Sequence, residues 1–179
     1  KCDAFSWPPL STGRFSALRY TEFVFVGLTQ LVSLDPRAGT LTLTECDDDA
    51  FLPRCKGAPL RCTPLFTATL DGSDGTGGPH ELTYLGQDLL LHYERSSGDY
   101  ALLTFSRSCG GNATEATPPR CGLSTPLVKG RLPPGAYHTY LGGDQILAYL
   151  PIGSYGGYEL YSLKRNGTEG TSIERVGGG

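Results

Sequence analysis

The chain has 179 residues, with 25 Gly, 13 Pro and no Met, and a formal net charge of −3. That length suits one domain able to bury roughly two thirds of the surface its unfolded chain exposes, and the Gly and Pro content favours short strands and turns over long helices. The charges are mixed, with none of the basic striping of a nucleic-acid binder, and no apolar run reaches the ~18 residues a membrane-spanning helix needs.

Residues 1–12 hold Cys2, Trp7 and Pro8-Pro9 and predict an extended lead-in. The start at Lys1, in a chain without Met, is read as a mature protein from which a signal peptide has been removed. The stretch Thr21–Cys46 is the clearest hairpin. Asp35-Pro36 opens its turn, because proline presets φ and aspartate bonds the backbone beyond it. Leu41 and Leu43 alternate with threonines, the period of a strand with one buried face. Apolar residues crowd both sides of Phe23–Val26, predicting a central strand covered on both faces.

The connection 47–64 is too broken by Pro and Gly for regular structure and carries three cysteines' worth of disulfide chemistry with Cys46, Cys55 and Cys62 at its start, middle and end. Strands are expected at Leu65–Leu70, Glu81–Tyr84, Gln87–Glu94 and Tyr100–Ser106, the last two joined by the turn Ser96–Asp99. Further strands are expected at Pro126–Lys129, Ala136–Leu141, Gln145–Leu150 and Gly157–Leu163, with Gly142-Gly143-Asp144 as a tight turn. The last ordered element is placed near Arg165, and Gly177–Gly179 are read as a tail. The reading is all-β: an antiparallel sandwich or barrel of about ten short strands, stapled by disulfides, with residues 1–176 as a single domain and no internal repeat.

Six cysteines, at positions 2, 46, 55, 62, 109 and 121, make an even count without the Cys-x-x-Cys spacing of a zinc or redox site. The local pair Cys109–Cys121 is the favoured single bridge, though spacing does not fix the connectivity. Cys2, Cys55 and Cys121 are disulfide candidates on the same footing as Cys46, Cys62 and Cys109. Two glycosylation sequons, at Asn112 and Asn166, join the cysteines in pointing to an oxidising, extracellular setting: a secreted protein or the outer face of a membrane protein. The spacing Cys46-x8-Cys55-x6-Cys62, followed by Leu89–Glu94 and Ala101–Phe105, resembles the middle of a mannose-6-phosphate-receptor homology domain. The sugar-contacting Glu-Tyr segment of that family has no counterpart here, so the resemblance assigns no function.

Asp47-Asp48-Asp49 and Asp71-Gly-Ser-Asp-Gly lack the alternating ligands of a calcium loop, so no metal site is expected. No Gly-x-Ser-x-Gly elbow and no Gly-rich phosphate loop is present, and no catalytic residue or cofactor is nominated. His92 and His138 alternate with apolar neighbours and are expected to point outward. Six of the ten tyrosines fall at positions 137 to 161, around Ile152-Gly-Ser-Tyr-Gly-Gly. Tyr, Ser and Gly together are the chemistry of adaptable recognition loops, which nominates Tyr155, Ser154, Tyr158 and Tyr140, although Tyr158 shares a strand face with Leu160 and is equally a core candidate. Arg54, Lys56 and Arg61 form a second, basic candidate surface. The functional expectation is a secreted or cell-surface glycoprotein domain, viral or cellular, that binds a protein or glycan and is not an enzyme. A lipocalin-like carrier of a small apolar ligand is the alternative and a secreted hydrolase the third.

Overall fold

The computed structural model describes residues 22–27, 29–46, 62–70, 79–106, 122–123, 126–152, 155–165 and 171–179. These residues form thirteen strands: β1 Glu22–Phe25, β2 Gln30–Asp35, β3 Thr40–Cys46, β4 Cys62–Thr69, β5 His80–Tyr84, β6 Leu89–Glu94, β7 Asp99–Ser106, β8 Gly122–Leu123, β9 Val128–Arg131, β10 Tyr137–Gly142, β11 Gln145–Ile152, β12 Tyr155–Arg165 and β13 Thr171–Gly178. All described pairings are antiparallel. No helix among the described residues is long and apolar enough to cross a membrane.

The strands make three sheets in chain order: β1-β2-β3-β4, then β5-β6-β7 with β8 and β9 both on the free edge of β7, then β10-β11-β12-β13. The second sheet is the middle layer. Its alternate residues join two different cores. Leu82, Leu90, Leu103 and Phe105 pack with Val26, Val32, Leu34, Leu41 and Leu43 of the first sheet region. Leu85, Leu89, Leu91, Tyr93 and Leu102 pack with Ile146, Ala148, Tyr161 and Leu163 of the third. That double burial is why β6 and β7 are nearly continuous apolar runs: a strand covered on both faces has no polar side to show. Leu90 and Leu91 are both 0% exposed although they point to opposite faces.

The central strands are therefore β6 and β7, and β1 is not one of them. Phe23 and Phe25 on β1 are about half exposed, and the Phe23–Val26 run is split from β2 at Gly27, which bends outside either strand. The turn 36–39 behaves as its sequence requires. Asp35 Oδ1 accepts from the backbone N–H of Arg37 at 2.9 Å, and Gly39 takes φ 61°. A further strand, β13, extends the order past Arg165; its Gly177 and Gly178 lie in the strand, and Gly179 exchanges two backbone hydrogen bonds with Tyr158. Ile173 supplies the apolar contact that holds it to the core.

The three sheets repeat one build. Thr83-Tyr84-Leu85-Gly86 recurs as Thr139-Tyr140-Leu141-Gly142, 56 positions on. The register agrees throughout: Thr83 pairs Leu91 as Thr139 pairs Leu147, and Tyr93 pairs Tyr100 as Tyr149 pairs Tyr158. The two turns match residue by residue, with φ of 78°, 49° and 60° at Gly86, Gln87 and Asp88 and of 88°, 57° and 59° at Gly142, Gly143 and Asp144. One hydrogen bond closes each second hairpin at the same place: Cys46 N–H to Thr29 O at 2.6 Å, Phe105 N–H to Asp88 O at 3.0 Å, and Leu163 N–H to Asp144 O at 2.7 Å. The expectation of no internal repeat is corrected by this geometry. The repeat lives in pairing and turn conformation, and in sequence it shows in the Thr-Tyr-Leu-Gly tetrad and in the matches Asp88 with Asp144, Leu91 with Leu147 and Tyr93 with Tyr149. The first strands of the sheets meet: β5 contacts both β1 and β10.

Cys46 and Cys62 are cross-strand partners joined by a disulfide, which ties β3 to β4 across the connection 47–61. Asn112, Asn166, Cys2, Cys55, Cys109 and Cys121 lie outside the described residues.

Candidate functional site

The site forms where β5 and β10 run together below the β6–β7 turn. Strand alternation turns Glu81 and Thr83 toward the third sheet, because His80, Leu82 and Tyr84 take the opposite face. Thr83 Oγ1 donates to the His138 carbonyl at 3.5 Å. Glu81 Oε1 accepts the His138 backbone N–H at 2.7 Å, so one carboxylate oxygen stitches the two sheets together. The other oxygen, Oε2, lies 3.6 Å from Arg95 Nε and 3.6 Å from His138 Nδ1.

His138 is buried, with no part of its side chain exposed, and so does not point outward as expected. Its strand face packs on the second sheet, and the Tyr93 ring meets it edge-on with centroids 4.4 Å apart. Tyr93 Oη donates to the Pro133 carbonyl at 2.5 Å and accepts the Ala136 N–H at 3.3 Å, and burial pushes its phenol above the ordinary range. Glu81 Oε2, Arg95 Nε and both His138 ring nitrogens are buried and make no hydrogen bond among the described residues. The carboxylate therefore faces a guanidinium and an imidazole at ion-pair distance. The effect is to hold Arg95 in place, since a buried carboxylate deprived of its cation is costly.

Arg95 leads outward from this group. Its guanidinium carbon stands 3.8 Å from the centroid of the Tyr137 ring, and Tyr137 is 46% exposed. Glu22 on β1 completes the charge set: burial raises its carboxyl, Arg95 pulls it down and Glu81 pushes it up. The exposed end of the site is thus a tyrosine ring with an arginine stacked on it, anchored from beneath by Glu81.

Two other polar clusters lie apart from this site. On the opposite face of the second sheet, His80 and His92 stack 5.1 Å apart, with His92 Nε2 3.1 Å from His80 Nδ1. Burial first, and then the neighbouring imidazole, holds His92 down to about 4; burial lowers His80 as well, against Glu94. His92 is partly buried and faces the first sheet. At the far end, Arg165 bonds Asp144 Oδ1 at 2.9 Å, Gln87 Oε1 at 2.7 Å and the Leu85 carbonyl at 3.3 Å, joining the two repeated turns.

The residues nominated from sequence are dispersed. Tyr140 is half-buried in the core between the second and third sheets, and its Oη accepts the Asp144 N–H at 3.3 Å. Tyr158 is on the exposed face, 51% exposed, whereas Tyr161 on the other face is buried; the core face of β12 is Tyr161's. Tyr155 opens β12 opposite Ile152. Ser154, Arg54, Lys56 and Arg61 lie outside the described residues. Arg95, Tyr137 and Glu81 were missed. Glu81 carried a usable signal, the one carboxylate in the strand His80–Tyr84. The Arg95–Tyr137 contact spans 42 positions and had none. Among the described residues no group of three or more His, Cys, Asp or Glu is arranged to hold a metal ion.

Comparison with known proteins found no matching family model, no matching curated protein and no matching solved structure.

Proposed function

We propose that this chain is a secreted or cell-surface glycoprotein domain that binds a protein or glycan partner without catalysis, and that Arg95 and Tyr137 form part of the contact. The observation that carries the reading is the Arg95–Tyr137 stack, with its half-exposed ring and its guanidinium fixed from below by buried Glu81. Arginine and tyrosine are the residues most enriched at binding hot spots, and holding them in one geometry before contact reduces the ordering cost of binding. Sugar rings and apolar side chains both pack well on a tyrosine face, so the stack suits either partner class.

The even cysteine count, the Cys46–Cys62 bridge and the two sequons support the extracellular setting. The carrier alternative needs an apolar hollow, and the packing of side chains from neighbouring sheets into two shared clusters favours the binding reading over it.

The test is a binding screen of the glycosylated domain against a glycan array and a panel of cell-displayed ectodomains, repeated with Tyr137→Ala and Arg95→Lys. Arg95→Lys keeps the charge and loses the planar stack. A partner whose affinity drops about tenfold or more with both variants supports the reading. Partners bound equally by wild type and both variants would remove this surface from the contact.

A further inference from the structure

We propose that the outward face of the third sheet is a platform for a neutral linear oligosaccharide, which stacks on a row of three tyrosines, Tyr137, Tyr149 and Tyr158. The assignment rests on the binding reading above and extends its contact from Tyr137 across β11 and β12. Register builds the row. Tyr137 is the cross-strand partner of Tyr149, and Tyr149 is the partner of Tyr158, so the three side chains share one face of three adjacent strands. That face is the solvent side. The three tyrosines are 46%, 48% and 51% exposed, while Ile146, Ala148, Tyr161 and Leu163 of the other face lie in the core. Neighbouring strands are ~4.8 Å apart, about the advance of one sugar unit along a chain, so the row offers three successive stacking positions.

Glycines let the rings lie down on the sheet. Atoms of the Tyr149 ring fill the place a side chain at Gly156 would take, and the Tyr158 ring stands 3.1 to 3.3 Å from where a Cβ at Gly179 would be. Tyr100 lies over Gly130 in the same way on the second sheet. A ring resting on backbone turns its π-face outward, and a pyranose has the matching shape, a flat patch of C–H groups with hydroxyls at its rim. Arg95 already shows the face of one tyrosine in the row taking a flat group. Thr139, exposed two residues along β10 from Tyr137, adds a hydroxyl beside the row. Charge complementarity selects a neutral ligand. Alternation gives this face no acid or base on β10 or β11, and none on β12 before Lys164. The charge of Arg95 at the end of the row is answered by Glu81 at 3.6 Å and by nearby Glu22. The footprint favours a chain over a protein. Leu147 and Leu160, the next cross-strand pair along, are half-buried, so the apolar strip is one residue deep, whereas a stable protein contact covers roughly 800 Å² per partner.

Titration calorimetry of the glycosylated domain with neutral glucose, xylose and mannose oligosaccharides, from di- to hexasaccharide, tests this, with a heparin hexasaccharide as the charged control. One neutral series should bind, with an affinity that climbs to about three or four sugars and then levels. Tyr149→Ala and Tyr158→Ala should each weaken binding about tenfold or more, and Tyr149→Phe, which keeps the ring, should stay within about threefold of wild type. Gly156→Val keeps all three tyrosines but denies the Tyr149 ring its place, so it should weaken binding as Tyr149→Ala does. The assignment is overturned if no neutral series binds, if affinity is indifferent to chain length, if the heparin hexasaccharide binds best, or if folded Tyr149→Ala and Tyr158→Ala bind as wild type does. The length series uses the unsubstituted domain, so a variant that fails to fold leaves the test intact. A protein partner captured through Arg95 and Tyr137, with no neutral sugar bound, would sink this assignment and leave the binding reading standing. Sugar binding that Tyr149→Ala abolishes and Arg95→Lys leaves untouched would support the row while removing Arg95 from the contact.

Discussion

Acidification should weaken the fold through the imidazole pair that β5 and β6 bring together on the second sheet. His92 is held down to about 4, by burial first and by the adjacent His80 second, against the pull of Glu94. An unfolded imidazole titrates near ~6.5. Between those two values the unfolded chain binds more protons than the folded one, so stability rises with pH. The contribution is whole above about pH 6.5, declines as the pH falls, and is spent near the folded value. The separation of 6.5 and about 4 corresponds to on the order of 3 kcal/mol, and His80, lowered for the same reason, acts in the same direction. Glu22, whose carboxyl burial raises, works in the opposite sense in the carboxylate range, so the clean window lies between about pH 6.5 and 5.5. Urea unfolding at constant ionic strength across that window, for wild type and for a His80→Leu/His92→Leu double variant, reads the effect directly. Wild type should lose stability with each step down, and the double variant should show a nearly flat profile. A flat wild-type profile, or an equal slope in both proteins, would refute the reasoning.

Three further outcomes follow from the same geometry. Leu85→Ala and Leu141→Ala truncate register-equivalent residues that are 0% and 54% exposed; calorimetry of the 179-residue chain should show a loss of about 3 kcal/mol for the first and under about 0.5 kcal/mol for the second. Gly98 and Gly135 share a left-handed φ of 80° and 81°, but a Cβ at Gly98 would run into the Leu132 carbonyl oxygen and one at Gly135 meets nothing within 4 Å. Gly135→Ala should therefore cost only the backbone term of about 1 kcal/mol, and Gly98→Ala distinctly more, in denaturant titrations. Replacing Cys46 and Cys62 together by serine opens a bridge of sequence separation 16, and equilibrium unfolding should show a loss of about 3 kcal/mol by loop-closure entropy.

The strands were legible because local signals sufficed for them. The Leu41 and Leu43 alternation, the Asp35-Pro36 turn and the Gly98 and Gly142 turns all act within a few residues. The layering was not legible, because an apolar run such as Leu89-Leu90-Leu91 says only that both faces are covered and leaves open by what. The same limit explains β1: Phe23–Val26 looks like a central strand by composition, while centrality is decided by which sheets stack on it. Strand β13 was lost because Gly177–Gly179 read as a tail, whereas their backbone groups pair with β12 irrespective of side chain. Tyr158 and Tyr161 lie on opposite faces of one strand; period two separated them correctly and could not name the buried side. The candidate site was nearly invisible, since Glu81 and Arg95 meet across the β5–β6 pair and only the docking of the third sheet on the second brings His138 and Tyr137 to them.

That docking, with the second sheet as the shared middle layer, is the central claim, and neighbouring residues of β7 test it. In a methyl-labelled sample, Leu102 should give nuclear Overhauser contacts to methyls of the third sheet, Ile146 and Leu163, while Leu103 gives them to methyls of the first, Val32, Leu41 and Leu43. Contacts from both leucines to the same sheet, or from Leu102 to neither Ile146 nor Leu163, would contradict a three-layer stack.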